Sequence, residues 1–549
     1  MGTVHEFARG SGAAGLAANT TVDLSGVAAK YIKLTANSNW GGIMAQYGLS
    51  EVRFFYVPVL ARELNPASGT IDMSVDNVTL SWRAGRQAAK HNVYLSTDQR
   101  AVIDETVSPV SISANSSYVS YDTGDLDLAQ TYYWKVNEVN EAATPATWQG
   151  DVLSFSTQDF LVVDDFEDYN DFEPDRIFDT WIDGWNVPAN GSQVGYADPP
   201  FAEQTIVHGG KQSMPINYDN SAGATYSEAE RTFAAPQDWT KHGIKTLVLY
   251  FYGNPGNTGQ LYVKLNSSKI SYDGNPSDLM LPFWSQWNIN LQTVGTNLAA
   301  VNTLTIGVEG SGAKGILYVD DIRLYSVAPG TVVAQDPGTG NLVAHYAFEN
   351  NAQDSSVNGK HGTTTGNPLY AAGMIGMAID FDGVDDRVEL GNLDLVGGGI
   401  TLSVWLKPDS FVYDDTRLIS KATGTAANDH LWMLSTNGAT HVLRFRLKTD
   451  EGTNTATLIA GSGGISAGQW VYAAATWDGS TMRLYRNLEQ VGSMAKGGTA
   501  VAVNASVNAS IGNQPPGAGD KHWDGLIDEV RIYSRGLSVA ELLYIASRQ

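Results

Sequence analysis

Ile527-Asp-Glu-Val-Arg-Ile-Tyr533 decides the fold class, because two near-copies stand upstream of it: Leu49-Ser-Glu-Val-Arg-Phe-Phe55 and Val319-Asp-Asp-Ile-Arg-Leu-Tyr325. Each carries an acidic residue, an aliphatic one, an arginine and then an apolar or aromatic pair. Alternate side chains of a strand point to opposite faces. Strict alternation therefore predicts one face with Asp320, Ile322 and Leu324, and in the last copy one with Asp528, Val530 and Ile532. The opposite face takes Asp321, Arg323 and Tyr325, or Glu529, Arg531 and Tyr533. Each copy is followed by a change of composition or by the end of the sequence. The motif reads as the closing strand of a β-sandwich, used three times.

The rest of the composition agrees with an all-β chain of tandem sandwich and jelly-roll modules. At 549 residues the chain is too long for one core. Charged residues make up 17%, while Gly (57), Tyr (25) and Trp (14) are plentiful, as expected of strands joined by many turns. A net charge of −24 excludes a nucleic-acid partner, which needs clustered Lys and Arg. There is no cysteine, so bracing must come from packing or a metal. No apolar run is long enough to insert in a membrane. Met1-Gly-Thr-Val-His-Glu-Phe7 has neither the basic start nor the apolar run of a signal peptide. An extracellular or cell-surface setting then implies that the sequence is a piece of something longer.

Residues 1–59 end in the first closing strand and resemble the last part of a discoidin-type sandwich, on Tyr31-Ile-Lys-Leu-Thr35 and Asn37-Ser-Asn-Trp-Gly-Gly42. Such a domain is more than twice this length, so the stretch is read as a truncated remnant. Residues 60–158 resemble a fibronectin III or immunoglobulin-like module, on Val78-Thr-Leu-Ser-Trp82, His91-Asn-Val-Tyr-Leu-Ser96, Thr131-Tyr-Tyr-Trp134 and Val152-Leu-Ser-Phe-Ser-Thr157, with Trp82 and Trp134 expected in the core. Residues 159–328 run from Phe160-Leu-Val-Val-Asp-Asp-Phe-Glu167 to the second closing strand and resemble the galactose-binding-like jelly roll of carbohydrate-binding modules. Residues 329–340 read as a linker by their Pro and Gly. Residues 341–549 resemble a LamG-like, concanavalin A-like jelly roll. The carriers are Leu342-Val-Ala-His-Tyr-Ala-Phe-Glu349, Ala378-Ile-Asp-Phe-Asp-Gly-Val-Asp-Asp386, Gln469-Trp-Val-Tyr-Ala-Ala-Ala-Thr-Trp-Asp-Gly479 and the last closing strand. Leu537-Ser-Val-Ala-Glu-Leu542 is expected as a short helix capped by Ser538.

Inward-facing carboxylates need hydrogen bonds or a cation. The alternation puts Asp320 and Asp528 on the apolar face of their strands. Structural Ca²⁺, which takes six to eight oxygens, is therefore expected at Asp165 or Glu167 with Asp320, and at Asp354, Asn358 and His361 with Asp528. Both positions match calcium sites that the resemblances imply. Asp380, Asp382, Asp385 and Asp386 form a rival cluster, or an exposed polar hairpin. Zinc is excluded by the lack of Cys and of His-x-x-x-His spacing.

A sugar site needs an exposed ring to cover a pyranose face and polar groups for its hydroxyls. Trp181, Trp185, Tyr196 and Trp284 lie in Gly-, Asp- and Pro-rich stretches and are the ring candidates; Trp287 is expected in the core. In the last domain Tyr413, Trp432 and Trp523 are further ring candidates, whereas Trp405, Trp470 and Trp477 fall on core strands. Asp183, Glu203, Glu228 and Glu230 are the acids from which a hydrolase would draw its pair, and nothing in their spacing selects one. Gly464-Ile-Ser-Ala-Gly468 matches a nucleophile elbow, but in a turn between strands the match is accidental. The residues leave three roles open: non-catalytic binding of a polysaccharide or other glycan, a glycoside hydrolase or polysaccharide lyase without a familiar motif, and a structural surface protein.

Overall fold

A computed structural model describes residues 4–547 except 12–14, 16, 25–28, 41–47, 50, 57 and 222. Its backbone is almost wholly strand and turn. The chain forms two compact units: residues 1–161 with 240–244 and 325–327, and residues 162–239 with 245–324 and 328–549.

In the first unit, strands Arg62–Asn65, Thr79–Arg83 and Tyr118–Asp122 form one sheet. The facing sheet runs in the order Thr70–Met73, Leu153–Thr157, Thr131–Val139, Lys90–Ser96, Val110–Ser113. Leu80, Trp82, Val93, Trp134, Val136 and Phe155 fill the core between them, as the alternating apolar pattern requires. The described residues before Arg62 contain no strand. Val52, Phe54, Phe55 and Tyr56 are exposed there, so the first copy of the repeat is not a closing strand. An exposed row of this kind buries nothing, and apolar burial is what fixes a strand on a sandwich. Ser50 lies outside the described residues.

The second unit holds two jelly rolls. The first pairs a six-stranded sheet with a five-stranded one. The six-stranded sheet runs Ser192–Val194, Met214–Asp219, Lys314–Tyr325, Thr246–Tyr252, Trp284–Asn290, with Phe160–Asp164 added to Lys314–Tyr325. The five-stranded sheet runs Trp181–Ile182, Tyr226–Gln237, Val301–Glu309, Gln260–Leu265, Ser268–Ser271. The second jelly roll pairs an eight-stranded sheet, centred on Asp524–Tyr533 and Ile400–Ser410, with a seven-stranded one that includes Arg417–Ala422, His430–Asn437 and Val442–Leu447. Trp405, Trp432, Trp477 and Trp523 are fully buried in this domain. The two jelly rolls meet where Leu281 and Phe283 pack with Trp405 and Tyr472, and Asn487 donates to the Pro282 carbonyl at 2.9 Å. Residues 329–340 have no helix or strand, but are tied down: Arg535 donates to the Pro337 carbonyl and Gln335 N–H to Ala540. The last helix, Val539–Ser547, is capped by Ser538 as expected, and Glu541 completes a capping box by accepting from the Ser538 N–H.

Both later copies of the repeat are closing strands, but the faces of the last one differ from strict alternation. Trp405 pairs with Asp528 and Ser403 with Arg531, so Glu529 and Val530 together face the single residue Val404. This is a β-bulge, and Glu529 takes φ +50° to make it. One extra residue shifts the parity. Ile527, Val530 and Ile532 therefore share the central core, while Leu526 and Tyr533 lie on the other face. Asp528 goes with the latter and not with Val530 and Ile532. Asp321 repeats the device at φ +48°, its N–H held by Asp320 Oδ1 at 2.8 Å. In both copies the second acid of the pair thus takes a positive φ, and in the Asp320–Asp321 copy the first carboxylate holds it there. The two opening strands share a device too: Phe166 and Phe348 both have positive φ, just before Glu167 and Glu349.

Candidate functional site

The outer face of the five-stranded sheet gathers polar side chains. Glu228 and Glu230 are two residues apart on one strand and so share a face, about 7 Å apart along it. Glu228 stands opposite Gly307, which stands opposite Tyr262 on the next strand; Glu230, Thr305 and Lys264 form the neighbouring row. Ala229, Leu261, Val263, Leu304 and Ile306 point the other way, into the core. Glu228 accepts a hydrogen bond from the Tyr262 hydroxyl at 2.6 Å and pairs with Lys264. Glu230 accepts from Thr305 Oγ at 3.1 Å. Gly307 is needed there: a Cβ would lie 2.5 Å from the Tyr262 ring. Lys269 Nζ covers that ring at 4.3 Å.

A loop hems this face at the Glu228 end. Asn190 bonds both to the N–H and to the carbonyl of Glu228, at 2.8 and 2.9 Å, and Ser192 Oγ donates to the same carbonyl at 2.6 Å. Asp183 holds the other end of the loop, accepting from the N–H groups of Trp185 and Val194 at 2.9 and 2.8 Å. Trp185 stands on this loop with 76% of its surface exposed.

Of the four expected rings, Trp185 alone is openly presented. Trp181 is a correction: it is fully buried, stacks near Phe166 and donates its indole N–H to Asp164 at 2.8 Å, so it is core. Its neighbour Ile182 takes the exposed face, as a strand demands. Tyr196 is half-buried with its hydroxyl on Glu203. Trp284 is half-buried against His208 and Tyr252. Trp432 and Trp523 are corrected in the same way, both fully buried, whereas Tyr413 stays half-buried under Lys521. Trp287, Trp470, Trp82 and Trp134 are buried as expected. Of the acids, Glu228 and Glu230 are neighbours on one sheet face, whereas Asp183 is occupied by the N–H groups of Trp185 and Val194, and Glu203 by Thr205 and Tyr196. Burial would raise Glu203, but hydrogen bonds from Thr205 and Tyr196 outweigh it and hold the carboxyl below its ordinary range, the wrong direction for a general acid. Gly464–Gly468 is an irregular turn with no helix after it, which removes the nucleophile elbow.

The expected metal ligands have other partners. Asp320 Oδ2 accepts from the N–H groups of His208 and Gly209 at 2.8 and 3.2 Å, and Glu167 Oε1 from those of Lys211 and Gln212 at 2.7 and 3.0 Å. The two carboxylates thus grip opposite ends of one turn. Asp165 Oδ1 caps the Glu167 N–H at 3.3 Å and lines a cavity of about 580 Å³ with Asp164, Glu167, Asp168, Asp175 and Arg231. Asp354 is saturated by its own loop and strand: the N–H groups of His345, Ser356 and Lys360 and the Ser356 hydroxyl, all within 2.9 Å. Asn358 donates to the Leu342 carbonyl, and His361 Nδ1 accepts from the Asp354 N–H. Asp354 thus already accepts four hydrogen bonds, and His361 holds the Asp354 N–H. Asp528 has one oxygen on the Ile375 N–H at 2.9 Å, and its buried Oδ1 has no partner among the described residues. Burial, with Glu529 and Glu349 nearby, pushes its carboxyl up to about 8; burial also pushes Asp320 up to about 6. Asp382, Asp385 and Asp386 bring carboxylate oxygens within 4.8 Å of one another, but these also cap the N–H groups of their own hairpin and of Asn367.

Sequence reasoning missed Tyr262, Lys264, Thr305 and Gly307. Their signal was present as alternation in Gln260-Leu-Tyr-Val-Lys-Leu265, where Tyr262 and Lys264 share the polar parity.

The fold is that of an all-β protein ending in a concanavalin A-like jelly roll. Residues 382–543 match the model of the Concanavalin A-like lectin/glucanases superfamily, a LamG-type family. Human pappalysin-1 is 33% identical over 124 residues, which is 21% of this chain and 8% of that protein. Domain 4 of AbnA, a GH43 extracellular arabinanase from Geobacillus stearothermophilus solved with arabinotriose, is 25% identical. That match covers 38% of this chain and 98% of the domain, with a TM-score of 0.29. A heptameric SAP-like pentraxin from Limulus polyphemus is 18% identical over 30% of this chain and 81% of its own, with a TM-score of 0.25.

Proposed function

We propose that this chain is a non-catalytic, extracellular glycan-binding protein, and that its first jelly roll binds through the outer face of the five-stranded sheet. The observation that carries this is the charged row Glu228, Lys264 and Glu230, fixed from behind by the buried Tyr262 and Thr305, with the exposed Trp185 on the adjoining loop. Charged and hydroxyl side chains in a fixed lattice suit sugar hydroxyls, and an exposed indole suits a pyranose face. Glu228 is tied to a cation and a phenol and Glu203 is held ionised, which favours binding over acid catalysis. The match of residues 382–543 to a lectin and glucanase superfamily supports a glycan partner for the last domain as well. A glycan array on wild type, Trp185→Ala and Glu228→Ala, run with a reducing-sugar assay, tests this. Glycan capture lost in both variants without product release supports it; released product overturns the non-catalytic part.

Structural Ca²⁺ belongs to the same proposal, at Asp528. Its orphaned Oδ1 and the nearby Glu349 fit a cation, whereas Asp354 and His361 are already engaged by their own loop and the strand Leu342–Tyr346. Calcium there would supply charge balance and rigidity, not chemistry. Calorimetry with and without chelator tests it; an unmoved melting transition excludes it.

A further inference from the structure

The seven-stranded sheet of the last jelly roll carries an unusual load on its outer face. Arg417, Ser435 and Arg444 stand in one row across three adjacent strands, and Ser420, Met433 and Arg446 in the next. Leu443, Phe445 and Leu447 alternate with the arginines and point into the core. Lys521 joins this group from the facing loop. Asp415 receives three of the four cations: Lys521 Nζ at 2.6 Å, Arg417 Nη1 at 3.3 Å and Arg444 Nη2 at 3.3 Å. Arg446 instead bonds the Thr425 carbonyl at 3.2 Å, with Asp429 acting on it at longer range. Four cations therefore face two carboxylates, an excess of two positive charges on a chain whose net charge is −24. His430, buried among the arginines and pushed down to about 3, is neutral and adds none.

The cations are also short of acceptors. Arg417 is fully buried, yet its Nε and Nη2 have no partner among the described residues, and neither has Arg446 Nε. Buried guanidinium nitrogens without acceptors are costly, and such orphans in a folded protein ask for a missing partner. The group is reachable at its rim: the side chains of Asp415 and Lys521 are about a quarter exposed, at 26% and 25%. Guanidinium forks recognise planar carboxylates and sulfates by paired, charge-assisted hydrogen bonds.

We propose that this face of the last jelly roll binds an acidic glycan through a carboxylate or sulfate group held by Arg446, Lys521 and the arginines behind them. The inference rests on the glycan-binding reading above but concerns a different domain and a different ligand charge. Three galactose-based probes separate the cases: neutral galactan, polygalacturonate, which brings carboxylates, and carrageenan, which brings sulfates. Titration calorimetry of the full chain, at low and moderate salt, measures each against wild type, Arg446→Gln and Lys521→Gln. The expected result is tighter binding of at least one acidic probe than of galactan, weakened by salt and by about tenfold or more in each variant. Whichever acidic probe binds identifies the group. Both variants should keep the wild-type melting transition, because both side chains reach solvent. Acidic probes bound no better than galactan, or bound equally by folded variants, overturn the inference and leave the first site standing. If no glycan binds at all, both readings fall.

Discussion

Asp528→Asn should stabilise the last jelly roll in a pH-dependent way. The wild-type carboxyl is buried against the Ile375 N–H, with its other oxygen unpartnered, and titrates near 8 instead of near 3.8. The folded chain therefore keeps a proton that the unfolded chain has lost. Its contribution to stability is fully present below pH 3.8 and is lost as the pH rises toward 8, beyond which it is flat. At pH 7 about three pH units separate the medium from the unfolded value. At about 1.4 kcal/mol per unit the ceiling is roughly 4 kcal/mol. Relaxation around the carboxyl reduces this to about 2 kcal/mol. Asparagine keeps an acceptor for Ile375 and cannot ionise. For a domain of this size the gain is roughly 4–8 °C in Tm near pH 8, and close to nothing near pH 4. The assay is differential scanning calorimetry of both proteins from pH 4 to 8, in excess chelator, since a bound cation would neutralise the carboxylate and reverse the sign. A variant no more stable than wild type at pH 8, or a difference that does not change with pH, refutes the reasoning.

Trp181→Ala should cost about 3–5 kcal/mol by opening the core, whereas Trp185→Ala should leave the melting curve unchanged and lower only glycan affinity; thermal denaturation beside a binding assay separates the two. Gly307→Val should displace the Tyr262 ring, whose nearest atom would lie 2.5 Å from the new Cβ, and weaken binding with a smaller loss of stability, read by titration and calorimetry. Phe283→Ala should cost roughly 3 kcal/mol at the contact with Trp405 and Tyr472 and separate the melting of the two jelly rolls into two calorimetric transitions.

The alternating strands and core tryptophans were legible because burial on one face writes period two into the sequence. Trp82, Trp134, Trp287 and Trp405 show this. The face of Asp528 was not legible, because a bulge at Glu529 shifts the parity by one residue, and glutamate does not announce a positive φ as glycine would. Trp181 was misplaced because a two-residue strand within a Gly- and Asp-rich stretch looks like loop. The polar sheet face escaped because its members come from three strands distant in sequence, and only the register of Glu228, Gly307 and Tyr262 brings them together. The first copy of the repeat shows the opposite error: the motif is there, but no partner strand among the described residues makes it a strand.

The most direct test is isothermal titration of the wild-type chain and of Glu228→Ala with the oligosaccharide that gives the strongest glycan-array signal. The Glu228 carboxylate anchors Tyr262 and Lys264, while its backbone bonds to the Asn190 loop survive in alanine, so its loss should weaken binding about tenfold or more while the melting transition moves little. Unchanged affinity in a folded Glu228→Ala protein would contradict the claim that this sheet face is the glycan site.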